Sequence, residues 1–326
     1  MRCLITGASG WVGYAFTEEW AIRHGAESVQ LLLPPQPLHA LEAQRAEALK
    51  QKGFDLVYHD LLDPALPVDA IREFDLLIHC AAYTHTEKAD KAVRVNDRGT
   101  QNLIEALGDK LKGRQIIYFG SCASLDDFSP PAGGIDEEHP CHPLTIYGQT
   151  KLQGEVISKK YAKQFDYAWT VLRLPTVYGP GYRPGGLFDI IKNGQMGFHP
   201  INRVDWPGSL SLLYIDDLTT LLIRIGEEGL AKNMTLNLAD PTPVRFAELF
   251  GGQAKIRLPL HRFLQATLLF FIRRIQRPHL GFISGWRLCH LLGNSMVLNT
   301  EKAQRLLPME YTDLADGLRR TFAEPE

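Results

Sequence analysis

Thr6-Gly7-Ala8-Ser9-Gly10-Trp11-Val12-Gly13 follows a short apolar run, Cys3-Leu4-Ile5, and precedes a helix-like stretch from Tyr14 to His24. Strand, glycine-rich turn and helix in that order form the sequence signature of an entry to a dinucleotide site. The glycines serve a tight reversal, a close approach of backbone to a pyrophosphate, and close packing of helix on strand. The helix N-terminus then offers N–H groups and the positive end of its dipole to the phosphates. The same glycine spacing also occurs in plain tight turns, so the assignment depends on what surrounds it.

Working outward, Val29-Gln30-Leu31-Leu32-Leu33 is nearly all apolar, as a parallel strand buried on both faces requires, and Pro34-Pro35 end it. The pattern then predicts a helix over Leu38 to Lys50, a strand at Leu56 to His59, a strand over Phe74 to Ala82 and a helix over Lys88 to Leu107. A fifth strand runs from Gln115 to Phe119 and ends in Gly120-Ser121; a helix over Tyr147 to Gln164 and a strand over Ala168 to Leu172 follow. This alternation predicts an α/β fold, a doubly wound parallel sheet of Rossmann-like type. Right-handed crossovers then bring Gly7, Asp60, Ala81, Ser121 and Pro175 to one edge of the sheet.

Beyond residue 175 the rhythm breaks into Gly/Pro-rich loops, a short helix over Leu187 to Lys192, a strand at Leu212 to Ile215, a helix over Asp216 to Ile225 and a strand at Thr235 to Leu238. Leu260 to Gln276 and Phe282 to Leu292 read as apolar-faced helices. The expected division is a dinucleotide-binding domain of residues 1–175 plus about 211–240, and a smaller, mostly helical substrate domain of 176–210 plus 241–326.

The 326 residues carry a net charge of −2, which excludes a global basic field for nucleic acid. The five cysteines lack metal-ligand spacing and read as free thiols of a reducing compartment, with no metal site expected. No run reaches the length of a spanning helix, and the first strand starts too near Met1 for a signal peptide, so the expected location is cytoplasmic.

A second signal is Tyr147-Gly148-Gln149-Thr150-Lys151. Tyrosine and lysine four apart share a helix face. An ammonium beside a phenol favours the phenolate, so the tyrosine can exchange a proton with a substrate oxygen near neutral pH.

Together these pieces resemble the extended short-chain dehydrogenase/reductase superfamily, its NAD-dependent epimerase/dehydratase and 3β-hydroxysteroid-dehydrogenase-like branch. The resemblance runs through Thr6–Gly13, Asp60-Leu61, His79-Cys80-Ala81-Ala82, Val95-Asn96 with Gly99-Thr100, Ser121, Tyr147/Lys151, Leu172 to Gly181, Tyr214 to Leu218, and Leu298 to Ala303. It implies that Gly7, Ser9, Gly10, Trp11, Val12 and Gly13 hold the pyrophosphate, that Asp60 and Leu61 lie by the adenine, and that Ala81 and Ala82 admit the cofactor. It implies Tyr147 as general acid/base, Lys151 as its tuning partner and ribose ligand, Ser121 as the donor to the reacting oxygen, and Pro175 and Val177 as flanks of the nicotinamide. Thr84, Thr176 and Arg183 are the expected substrate contacts, and Asn96 a helix-packing or water-network residue first.

The chain departs from the family pattern in places. Cys122 and Ser124 compete with Ser121 for the serine position, and Thr176 stands where nucleotide-sugar epimerases usually carry asparagine. Leu33-Pro34-Pro35-Gln36 offers neither the acid that would select NAD nor the arginine that would select NADP, so both cofactors stay open. The apolar 263–272 run with Arg273, Arg274 and Arg277 reads as a packed helix, with an apolar substrate wall or a membrane-resting face as lesser readings. Arg203, Arg257, Trp206 and Tyr182 are further substrate candidates. The expected function is NAD(P)-dependent oxidoreduction of a secondary alcohol or ketone on an apolar small molecule. A nucleotide-sugar epimerase or dehydratase is the alternative, and a non-enzymatic dinucleotide sensor the third reading. The resemblance also allows a homodimer through helices flanking the sheet.

Overall fold

The computed structural model describes residues 1–84, 89–125, 131–182, 187–188, 191–192, 208–249 and 295–323. Its strands are β1 (Cys3–Thr6), β2 (Val29–Leu33), β3 (Asp55–Tyr58), β4 (Leu76–His79), β5 (Gln115–Ser121), β6 (Ala168–Leu174), β7 (Thr176–Tyr178), β8 (Ser209–Leu210), β9 (Leu212–Tyr214), β10 (Met234–Asn237) and β11 (Val244–Arg245). Seven of them form one parallel sheet in the order β10-β6-β5-β4-β1-β2-β3. The order reverses beside β1, which places a crevice at the C-terminal ends of β1 and β4.

Continuous apolar runs form these strands because both faces are covered. Ile5, Leu31, Leu33, Ile78 and Ile117 turn toward α1 (Trp11–His24) and α6 (Ile215–Glu227), where Phe16, Trp20, Leu218 and Leu222 complete one core. Leu4, Leu32, Leu77 and Ile116 turn the other way, toward α4 (Gly99–Leu107) and α5 (Ile146–Phe165), meeting Leu103, Ile104 and Ile157. The period of two along each strand therefore sorts one apolar run into two cores. A third cluster, with Tyr178, Phe188, Leu212, Tyr214 and Phe246, lies beneath β7, β8, β9 and β11.

The helix expected over Lys88 to Leu107 is divided. Its described part is α3 (Ala89–Val93), a π turn over Arg94–Arg98, and then α4. The wide turn lets Asn96 reach inward, where its Oδ1 accepts from the Tyr83 N–H at 2.6 Å and its Nδ2 donates to the Tyr83 carbonyl at 3.1 Å. Helix α1 starts at Trp11, three residues before the expected Tyr14, so the glycine turn is shorter than the sequence suggested. Helix α2 (Ala40–Gln51) and the short α7 (Phe246–Leu249), α8 (Glu301–Leu306) and α9 (Leu314–Phe322) are further helices, and residues 187–188 and 191–192 are helical as well. The helices expected at 260–276 and 282–292, together with Arg183, Arg203, Trp206 and Arg257, lie outside the described residues. No described helix is long and apolar enough to cross a membrane.

Candidate active site

The glycine turn is built by steric exclusion. Gly7 has φ 78°, and a Cβ there would stand 2.6 Å from the Ala81 nitrogen. A Cβ on Gly13 would stand 2.3 Å from the Gly7 carbonyl oxygen. Gly7 packs on the Ala81 backbone and Gly13 on the Gly7 carbonyl and Cys80 Sγ, so strand β1, the segment after β4 and the start of α1 meet at close range. Gly10 caps α1 with no side-chain oxygen, and no acidic residue stands in the first turn. The N–H groups of Trp11, Val12 and Gly13 are left to an external acceptor, and the dipole favours an anion there. These residues fit a dinucleotide pyrophosphate. Ser9 is buried within the turn.

Beside the turn, Asp60 closes its own loop: its Oδ1 accepts from the Leu62 N–H at 3.0 Å. The Leu61 carbonyl accepts from Asn102 Nδ2 at 2.9 Å, which ties the segment after β3 to α4. Ala82 and Thr84 are half-buried around Tyr83, whose backbone Asn96 holds.

A buried histidine forms the floor. Thr100 Oγ1 donates to the Asn96 carbonyl at 2.6 Å, so His79 Nε2 must donate to Thr100 Oγ1 at 2.9 Å. His79 Nδ1 then accepts from the Thr6 hydroxyl at 2.7 Å. Burial, with the nearby Lys151 charge, pushes the imidazole down to about 3, so it stays neutral and structural.

Helix α5 brings the Tyr/Lys pair to this edge. Thr145 caps it by accepting from the Gly148 N–H at 3.0 Å. A Cβ on Gly148 would stand 2.1 Å from the Ala123 carbonyl oxygen, so the first turn of α5 lies directly on the turn after β5. That contact brings Tyr147, half-buried, to the end of the strand that carries Ser121.

Of the three candidates for the serine position, Ser124 is fully buried and its hydroxyl donates to the Ser121 carbonyl at 2.8 Å. Ser121 Oγ accepts from the Ala123 N–H at 3.2 Å, which leaves its own O–H to give. Cys122 is half-buried.

Lys151 is 3% exposed, and its Nζ sits 4.8 Å from the centroid of the Tyr118 ring. Burial lowers its pKa to about 8, against the raising effects of Cys80 and Glu155. The ammonium thus lies against a π face, in surroundings whose burial favours its neutral form. Pro175, Thr176 and Val177 are half-buried where β6 passes into β7.

Sequence reasoning overlooked the pair beneath α5. Glu155, 1% exposed, receives Arg173 at 3.1 Å from Nη2 and 3.2 Å from Nε. Arg173 also donates to the Glu137 carbonyl at 2.9 Å, which ties the loop after β5 to β6. A lone arginine inside the apolar run Val171 to Leu174, and a glutamate four residues past Lys151, are the signals that could have found it.

The model of the NAD dependent epimerase/dehydratase family matches residues 3–239. A probable UDP-glucuronate 4-epimerase of Rhizobium meliloti is 25% identical over all of this chain and 89% of its own length. A sterol-4-alpha-carboxylate 3-dehydrogenase (decarboxylating) of Saccharomyces cerevisiae is 27% identical over 62% of this chain and 60% of its own. The dTDP-glucose 4,6-dehydratase DesIV of Streptomyces venezuelae, solved with NAD and TYD bound, superposes with a TM-score of 0.74 at 20% identity, covering 98% of this chain and 95% of that one. That likeness is one of fold.

Proposed function

Because the chain belongs to the NAD dependent epimerase/dehydratase family, we propose that it catalyses reversible oxidation of a secondary alcohol carbon through Tyr147, Lys151 and Ser121. The family's cofactor is NAD, the choice that Leu33 to Gln36 leaves open. When bound, NAD supplies the hydride acceptor. Tyr147 takes the proton from the alcohol oxygen and returns it. Ser121 donates a hydrogen bond to that oxygen, and Lys151 keeps the phenol reactive. The observation that carries this reading is the seating of Gly148 on Ala123, which puts Tyr147 and Lys151 on the same sheet edge as Ser121 and the Gly7–Gly13 turn.

For the substrate, a nucleotide-sugar is the favoured class, supported by the relatives that act on UDP-glucuronate and UDP-glucose. Within that class the relatives include both epimerases and dehydratases. An apolar alcohol is the second reading, favoured by Thr176 and by the sterol dehydrogenase relative. The apolar wall expected at 263–272 lies outside the described residues and adds nothing to it.

The test incubates purified protein with UDP-glucose, UDP-glucuronate and a sterol alcohol, and follows epimers by NMR and NADH by absorbance. Tyr147→Phe is expected to lower turnover by at least about 10²-fold. Wild-type turnover in that variant would remove Tyr147 from the reaction.

A further inference from the structure

Two side chains, Trp11 beside the glycine turn and Arg45 on α2, hold a segment that is remote in sequence. Trp11 Nε1 donates to the Pro180 carbonyl at 2.9 Å. Arg45 Nη2 donates to the Gly181 carbonyl at 2.8 Å. The acceptor segment leaves β7 and is shaped to arrive there. Gly179 has φ 150° and a Cβ on it would meet Ile215 Cγ2 at 2.3 Å; Gly181 has φ 71° and lies 3.7 Å, measured from its would-be Cβ, from Trp11 Nε1. Behind it Tyr182 packs edge-on against Phe188 and Phe322.

The donors occupy telling positions. Trp11 is the first residue of α1, whose N-terminus fits the pyrophosphate. Arg45 lies on α2, which follows β2, the strand whose end faces the adenosine ribose in this fold. Arg45 is half-buried, and burial lowers its pKa from the usual value, yet it spends a donor on a neutral carbonyl. A phenylalanine at position 11 would keep an aromatic ring there without the N–H.

We infer that Trp11 and Arg45 are cofactor-retaining residues: their two hydrogen bonds strap Pro180-Gly181 across the adenosine half of the groove, so that bound NAD leaves only when both open. This rests on the dinucleotide reading above and extends it. A chain that keeps its cofactor suits a reaction that ends with NAD in the oxidation state in which it began. Such a reaction is redox-neutral overall, and no second substrate has to regenerate the cofactor.

The experiment loads the full chain with isotope-labelled NAD and follows its exchange against excess unlabelled NAD by mass spectrometry. Wild type, Trp11→Phe, Arg45→Gln and the double variant are compared, with Ile22→Gln on the exposed side of α1 as a control. Loss of one such bond is expected to speed exchange about tenfold, and loss of both about a hundredfold. The control should exchange at the wild-type rate. Thermal melts without cofactor report whether each variant is folded, and Arg45→Gln gives a reading if Trp11→Phe does not fold. A double variant exchanging at the wild-type rate, or a wild type that exchanges within seconds, overturns the strap. A wild type that binds no NAD at all overturns the dinucleotide reading and the strap with it.

Discussion

Gly148→Ala separates helix propensity from the packing that builds the site. Gly148 lies within α5, where alanine ordinarily stabilises a helix by about 1 kcal/mol over glycine. Here the added Cβ would stand 2.1 Å from the Ala123 oxygen and 3.1 Å from Pro143 Cβ. The first of these is a rigid backbone atom, so the start of α5 must retreat by roughly 1 Å to restore ordinary contact. Overpacking of this kind costs about 1–3 kcal/mol, opposite in sign to the propensity gain. The retreat carries Tyr147 away from Ser121, and a misplacement of about 1 Å costs about 10²-fold in rate. Urea unfolding of the purified variant gives the stability, and kcat on the substrate found for wild type gives the rate. A variant more stable than wild type would refute the close seating of α5. A destabilised variant with unchanged kcat would refute the link between that seating and the chemistry.

Two further outcomes follow from the buried charges. Glu155→Ala leaves Arg173 uncompensated in the interior and is expected to cost about 3–5 kcal/mol in urea unfolding, whereas Glu155→Leu with Arg173→Met recovers most of it. A loss below 1 kcal/mol in the single variant would show that the pair is not needed to seat α5. Lys151 is disfavoured in its charged form by burial, a net cost on the order of 3 kcal/mol. Its folded pKa of about 8 lies below the unfolded 10.5, so that cost is full below pH 8 and is lifted as pH rises toward 10.5. Lys151→Met is therefore expected to be more stable than wild type at pH 7 without cofactor, with the gap narrowing from pH 8 upward in urea unfolding. A gap that does not change with pH would contradict this.

The sheet was legible because its strands are short apolar runs bounded by turn residues, and the cofactor edge because five of those runs end in Gly7, Asp60, Ala81, Ser121 and Pro175. Tyr147 and Lys151 stand out by their four-residue spacing only when taken with the glycine turn and with their place at the start of the helix after β5. The π turn at Arg94–Arg98 was not legible, since Asn96 leaves the helical pattern to satisfy the backbone of Tyr83 and to donate to Thr150 Oγ1, contacts between segments. Tyr118 read as a strand residue, and nothing local says that its ring receives Lys151. The bonds of Trp11 and Arg45 join residues 169 and 136 positions apart, beyond the reach of any periodicity.

The pairing of β10 with β6 has a consequence for the order in which the chain is made. A nascent chain that has emerged through residue 175 holds six of the seven strands but neither α6 nor β10. Phe16 and Trp20, fully buried in the finished molecule, then have no α6 to cover them; Gly226 later brings that helix so close that its would-be Cβ stands 3.2 Å from the Trp20 ring. About sixty more residues must be synthesised before the edge strand arrives, roughly 3–12 s at ordinary elongation rates. Throughout that interval an apolar helix face and an unpaired strand edge are open to chaperones and to neighbouring chains. A fragment cut at residue 175, which looks like a finished nucleotide-binding unit on paper, would keep that exposure permanently.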